Sequence, residues 1–176
     1  VDVSAQNTMI LANDAGFATG IFAASESDSA GGHGGNLRLQ SESLEIRQGG
    51  VVSANTFGSG AGGNVSVNAG SVLLSSDGLN VLTGITADSQ NRGTGGAGGN
   101  VNVVADSIRI RDEAQISANT FGQGPGGKVS ITTGTLSISS SGPSGRSGVF
   151  ASTNSFGAGG PGGGIQNGAG TIRLCK

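Results

Sequence analysis

Apolar and polar residues alternate along this chain in short runs, and the runs recur. Val1-Asp2-Val3, Leu37-Arg38-Leu39, Val65-Ser66-Val67, Val101-Asn102-Val103 and Val129-Ser130-Ile131 each read apolar, polar, apolar. That is the period-two signature of a strand with one buried face. A second run follows at Thr8, Leu44, Val72, Ile108, Leu136 and Ile172, completed two residues on by Ile10, Ile46, Leu74, Ile110, Ile138 and Leu174. A third carries Ile21, Val52, Ile85, Ile116 and Val149, with alanine two residues later every time, at Ala23, Ala54, Ala87, Ala118 and Ala151. The alanine column predicts a tight corner where opposite walls approach. Helix is a poor fit throughout, because β-branched residues dominate and Gly or Asn interrupts every run.

The runs belong to a longer repeat. Ile116-Ser-Ala-Asn-Thr-Phe-Gly-Gln-Gly-Pro-Gly-Gly127 nearly duplicates Val52-Ser-Ala-Asn-Thr-Phe-Gly-Ser-Gly-Ala-Gly-Gly63, 64 residues earlier. Glycine pairs ending at Gly35, Gly63, Gly99, Gly127 and Gly163 divide the chain into units 1–36, 37–64, 65–100, 101–128 and 129–164, alternately 36 and 28 residues long. A fixed period with matched strands means that each strand pairs with its counterpart in the next unit. The predicted fold is all-β: a right-handed parallel β-helix of about five coils of three strands, about 25 Å tall at the usual strand spacing. Val1, Leu37, Val65, Val101, Val129 and Ile165 are the expected inward ladder. The glycine pairs are the expected sharp turns, on the ground that glycine accepts positive φ. The extra residues of the long units fall in Asn13–Gly20, Asp77–Gly84 and Ser141–Gly148, and in the turn after the third strand, where they predict loops at the corners. Residues 1–164 thus form the repeat segment, and 165–176 a partial, atypical terminal coil, since Asn167 breaks a core column and Cys175-Lys176 has no counterpart. The chain begins mid-pattern at Val1, which reads as a segment of a longer protein.

Composition supports this thin, repetitive core. Glycine supplies 36 of 176 residues but proline only 3, which excludes collagen. Hydrophobic residues make up 34% and charged ones 11%, so the chain can bury surface and is not disordered. With six Phe and neither Trp nor Tyr, the core rests on small aliphatic side chains. Nine basic residues are scattered singly, so no nucleic-acid partner is expected. No apolar run approaches a membrane span, and no membrane insertion is expected.

Candidate chemistry is sparse. His33 is the only histidine and lies in a glycine turn, whereas zinc requires three or four ligands. Cys175 is alone near the end and has no base beside it. Asp77, Asp88, Asp106, Asp112 and Glu113 are scattered and lack the spacing of calcium-binding β-roll repeats. Arg109, Arg111 and Asp112 offer the acid-with-arginine combination that polysaccharide-cleaving β-helices use, but no neighbouring unit complements them, and they read as a solvated pair. Asn36, Asn64 and Asn100 predict an amide ladder at the turn, interrupted by Lys128 and Gly164. The expectation is no catalytic, cofactor or metal site, and no enzyme.

The aligned segments ISANTFGQGPGGKVSITTGTLSIS and NTFGSGAGGNVSVNAGSVLLSSDG resemble the repeats of filamentous-haemagglutinin-like exoproteins, closest to the cyanobacterial large exoproteins of two-partner secretion. The resemblance covers residues 1–164. It implies a right-handed β-helix shaft, export through an outer-membrane partner barrel, an extracellular or cell-surface location, and adhesion as the commonest role. The family's N-terminal secretion domain is not recognisable in these residues. Unpaired terminal coils add an expectation of end-to-end self-association. The alternative is a surface-binding solenoid for ice or polysaccharide, with a carbohydrate-active enzyme behind it. Against ice, the outward column of strand three reads Phe22, Ser53, Thr86, Ser117 and Phe150, and the next Ala24, Asn55, Asp88, Asn119 and Ser152, neither repeating with the single unit.

Overall fold

A computed structural model describes residues 1–12, 19–26, 31–141, 146–155 and 157–175. Among these there are eleven strands and no helix: β1 (Asp2–Leu11), β2 (Thr19–Phe22), β3 (Asn36–Arg47), β4 (Gly50–Ser53), β5 (Asn64–Ser75), β6 (Gly84–Thr86), β7 (Asn100–Arg111), β8 (Gln115–Ser117), β9 (Lys128–Ser139), β10 (Gly148–Phe150) and β11 (Gly164–Cys175). The odd-numbered strands form a six-stranded sheet in the order β1-β3-β5-β7-β9-β11, and the even-numbered ones a five-stranded sheet in the order β2-β4-β6-β8-β10. Every pairing is parallel and joins neighbouring repeat units. The arrangement is consistent with a parallel β-solenoid.

Register follows the columns of the sequence. Leu37 pairs with Val65, Val65 with Val101, Val101 with Val129, and Val129 with Ile165. Val1 joins through its carbonyl, which accepts the Arg38 N–H at 2.8 Å. The four middle residues are buried, while Val1 and Ile165, on the open edges of the sheet, are 58% and 53% exposed. β11 keeps register past Asn167 to Cys175, so the atypical segment carries a full strand of the first sheet.

The first two strands of each unit, read separately from the sequence, run as one strand of up to twelve residues. In β3 the buried positions are Leu37, Leu39 and Ser41, then Leu44 and Ile46. The step of three between Ser41 and Leu44 reverses the in-out phase, and the pairing skips Glu42 there while continuing on both sides. Small residues line the inside of this bend. The Ser41 hydroxyl lies 2.7 Å from the Ser43 carbonyl and 3.1 Å from the Gln6 carbonyl, and its one proton serves backbone that the bend turns inward.

The alanine column closes each unit. Gly35, Gly63, Gly99, Gly127 and Gly163 donate their N–H groups to the carbonyls of Ala23, Ala54, Ala87, Ala118 and Ala151 at 2.6–2.7 Å. None of these glycines is at positive φ, which corrects the reason expected from sequence. They are required by close stacking: a Cβ on Gly63 would lie 2.0 Å from the Gly35 carbonyl oxygen, and one on Gly99 1.9 Å from that of Gly63. The left-handed conformations lie instead at the corner after the first sheet, at Gln48-Gly49, Asp77-Gly78 and Asp112-Glu113.

A further column was not read from the sequence. Ser25, Thr56, Ser89, Thr120 and Thr153 form successive parallel bridges beyond the second sheet. Thr56, Ser89 and Thr120 are fully buried, and their hydroxyls donate to the carbonyls of Gly32, Gly60 and Gly96 in the preceding glycine turn. Of the predicted corner loops, Asp77–Gly84 is described throughout, whereas residues 13–18 of Asn13–Gly20 and 142–145 of Ser141–Gly148 lie outside the described residues.

Candidate functional site

The outer face of the second sheet is a concave surface that combines acids, amides and aromatic rings. Its strands place Phe22, Ser53, Thr86, Ser117 and Phe150 outward, then Ala24, Asn55, Asp88, Asn119 and Ser152, as the register requires. These positions were expected to face solvent freely. Ser53, Thr86 and Ser117 are instead 4% exposed or less, and Asn55, Asp88 and Asn119 are also buried. The cause is a wall on either side. One wall is the corner loop after the first sheet, carrying Val81, Leu82 and Glu113, with Arg146 further along. The other is the position after the bridging column, which holds Glu26, Phe57, Gln90, Phe121 and Asn154 in successive units.

Between the walls lie two hollows of about 570 and about 430 Å3. Both are lined by Leu82 and Gln90, so they adjoin and follow one another across the strands as a trough. Phe22 and Phe57 line the smaller hollow, Phe121 and Phe150 the larger. Leu82 lines both hollows, with Phe22 in one and Phe150 in the other.

The second floor column forms a hydrogen-bonded ladder. Asn55 Oδ1 accepts the Asp88 N–H at 2.7 Å, Asp88 Oδ1 accepts the Asn119 N–H at 2.6 Å, and Asn119 Oδ1 accepts the Ser152 N–H at 2.9 Å. Each side chain thereby occupies a backbone donor of the next unit. Asp88 is the charged member, and its second oxygen accepts the Ser117 hydroxyl at 3.0 Å. Burial pushes its carboxyl up to about 6 against the opposing pull of these two donors. On the same floor, Thr86 keeps a buried hydroxyl with no hydrogen-bond partner.

The residues singled out from sequence lie elsewhere. His33 is exposed, and its Nδ1 accepts the Ala61 N–H at 2.9 Å, which ties adjacent glycine turns together. Asn64 Nδ2 donates to Asn36 Oδ1 (2.7 Å) and Asn100 Nδ2 to Asn64 Oδ1 (2.8 Å), forming the amide ladder. Arg109 points outward from the first sheet, and Arg111 approaches Asp112 at 3.7 Å on a half-exposed corner. That corner also holds Arg47, bonded twice to Asp77 at 2.8 Å, which holds the Asp77 carboxyl below its ordinary value. Cys175 is exposed on the last strand. No group of three or more His, Cys, Asp or Glu suited to a metal occurs among the described residues.

The trough had a trace in the sequence. In the duplicated Asn-Thr-Phe-Gly motif, Asn55 and Asn119 supply the ladder, Thr56 and Thr120 the buried bridge, and Phe57 and Phe121 the wall. What the motif does not reveal is the opposite wall, which comes from a different part of each unit. In class, the chain is an all-β protein of stacked parallel strands with a lateral trough. No family model, curated protein or solved structure matches it.

Proposed function

We propose that this chain is a shaft segment of a secreted or surface-displayed, adhesin-like exoprotein: a right-handed parallel β-helix of about five coils whose role is to extend and present. The observation that carries this reading is the unbroken parallel register of six strands from β1 to β11, with the outer edges of both terminal strands unpaired. An uninterrupted stack gains length by adding coils without changing its cross-section, which suits a spacer. The resemblance of the repeats to filamentous-haemagglutinin-like exoproteins supports the same reading, with export through an outer-membrane partner. Val1, Ile165, Ile172 and Leu174 are exposed on the open ends, and such edges continue into further coils of the parent chain or of another copy.

Two measurements test this. An antibody against residues 101–141, applied to intact native cells and to cell fractions, is expected to label the surface or the medium, and confinement to the cytoplasm refutes the proposal. Sedimentation of the isolated segment is expected to show concentration-dependent linear growth. A monomer with ordered, uncovered terminal strands refutes the end-to-end association.

A further inference from the structure

The trough over the second sheet has features that a spacer does not require. Phe57, on an internal unit, is 40% exposed although sequestering its ring would remove apolar surface from water, and its counterpart Phe121 is half-buried. Phe57 and Phe121 occupy the same wall position two units apart, which at the strand spacing is about 9.6 Å. That is close to the span of two pyranose rings in an extended β-linked chain. Gln90 stands between them on the wall, an amide able both to donate and to accept.

Ring faces and amides in alternation match a sugar chain, whose C–H faces are apolar and whose equatorial hydroxyls are polar. Charge narrows the choice. The trough is lined by Glu26, Asp88 and Glu113 against Arg146, a balance that repels sulfated or uronate chains. A peptide strand is a poorer fit, because the backbone groups of β4, β6 and β8 are already paired on both sides and offer no edge along the trough.

We propose that this trough binds an extended, uncharged, β-linked polysaccharide laid across the strands, with Phe57 and Phe121 as its stacking platforms. The direction of the trough sets the direction of the chain, and the paired units set its repeat. Leu82 and Phe150 complete the apolar side, and the asparagine ladder holds the floor rigid.

The test is affinity electrophoresis of the whole chain in native gels containing hydroxyethyl cellulose, xyloglucan or galactomannan, with alginate as the anionic comparison. Retardation by at least one neutral polymer is expected, with none by alginate. The Phe57→Ala/Phe121→Ala double variant should weaken binding by about tenfold or more, as removal of central aromatic anchors does. Val104→Ala, on the outer face of the first sheet, should leave it unchanged. Circular dichroism establishes that the variants are folded. An independent readout is Phe57→Trp, which keeps an aromatic platform and supplies the chain's one tryptophan: its fluorescence should shift saturably with the neutral polymer. The proposal is overturned by no retardation in any neutral gel, by retardation in alginate alone, by a folded double variant that binds like wild type, or by a silent Trp reporter.

Discussion

Replacing Asp88 by asparagine should stabilise this protein at neutral pH, and the structure fixes both the size and the pH range of the effect. Asn55 and Asn119 already perform the same task in the units before and after: a side-chain oxygen accepts the next backbone N–H. An amide at position 88 keeps the oxygen that accepts from Asn119, and its Nδ2 can donate to the Ser117 hydroxyl, which now acts as the acceptor. The substitution therefore removes a charge and no hydrogen bond. Burial raises the Asp88 carboxyl from 3.8 to about 6, a difference that corresponds to about 3 kcal/mol. Since the folded value lies above the unfolded one, the folded state holds the proton more tightly. The contribution of Asp88 to stability is then fully present below pH 3.8, falls as pH rises to about 6, and is flat beyond.

The difference between the Asp88→Asn variant and wild type should be near zero at pH 3.5 and grow to about 3 kcal/mol in favour of the variant by pH 7.5. Urea denaturation followed by far-ultraviolet circular dichroism at several pH values measures this directly. Groups that shift in the opposite sense, such as Asp77 beside Arg47, are present in both proteins and cancel in the difference. Parallel stability curves, or a variant weaker than wild type at pH 7.5, would show that Asp88 is not buried as a strained charge.

Other outcomes follow from the packing. Val101→Asp places an unpaired charge at a site 1% exposed and should unfold the middle of the stack, whereas Asn102→Asp next to it faces out and should shift the melting temperature only slightly, both read by thermal circular dichroism. Gly99→Ala drives a Cβ to within 1.9 Å of the Gly63 carbonyl oxygen and should be far more destabilising than Gly78→Ala, which is at φ +79° in open space and should cost about 1 kcal/mol. Ice-growth assays should show neither thermal hysteresis nor faceting, because the short polar residues Ser53, Thr86 and Ser117 lie on the floor of a trough and cannot meet a flat lattice.

Register was legible in the sequence because each column repeats its chemistry: Val over Leu over Val cannot slip by one without exposing the whole row. The bend within β3 was harder to place. The step from Ser41 to Leu44 reads as the end of one strand and the start of another, although backbone pairing runs through it. The glycine pairs were found for the wrong reason, since a stacking clash and a positive φ leave the same residue in a sequence. The buried face of the trough was not legible at all. Asp88 alternates correctly to the outside of its strand, and the hollow it faces is walled by residues 80–82 and 146, which no local period connects to it.

The location of the trough follows from where the units differ in length. Over the first sheet, outward residues such as Arg38 and Asn102 are exposed. In the unit 65–100, whose residues are all described, the extra residues enter at both ends of the second-sheet strand, and the walls stand at those two ends. Because long and short units alternate, the wall position alternates too: Phe57 and Phe121 come from short units, while Glu26, Gln90 and Asn154 come from long ones. A ligand reading that wall meets one ring for every two coils, whatever the identity of the loops. If the same 64-residue repeat continues along a parent chain, each added repeat contributes one more platform in line with the last. Affinity for a polymer then rises with shaft length through simultaneous engagement, without any new kind of contact. On this view spacing and binding are not competing roles for the segment, since the period that builds the stack also sets the period of the surface.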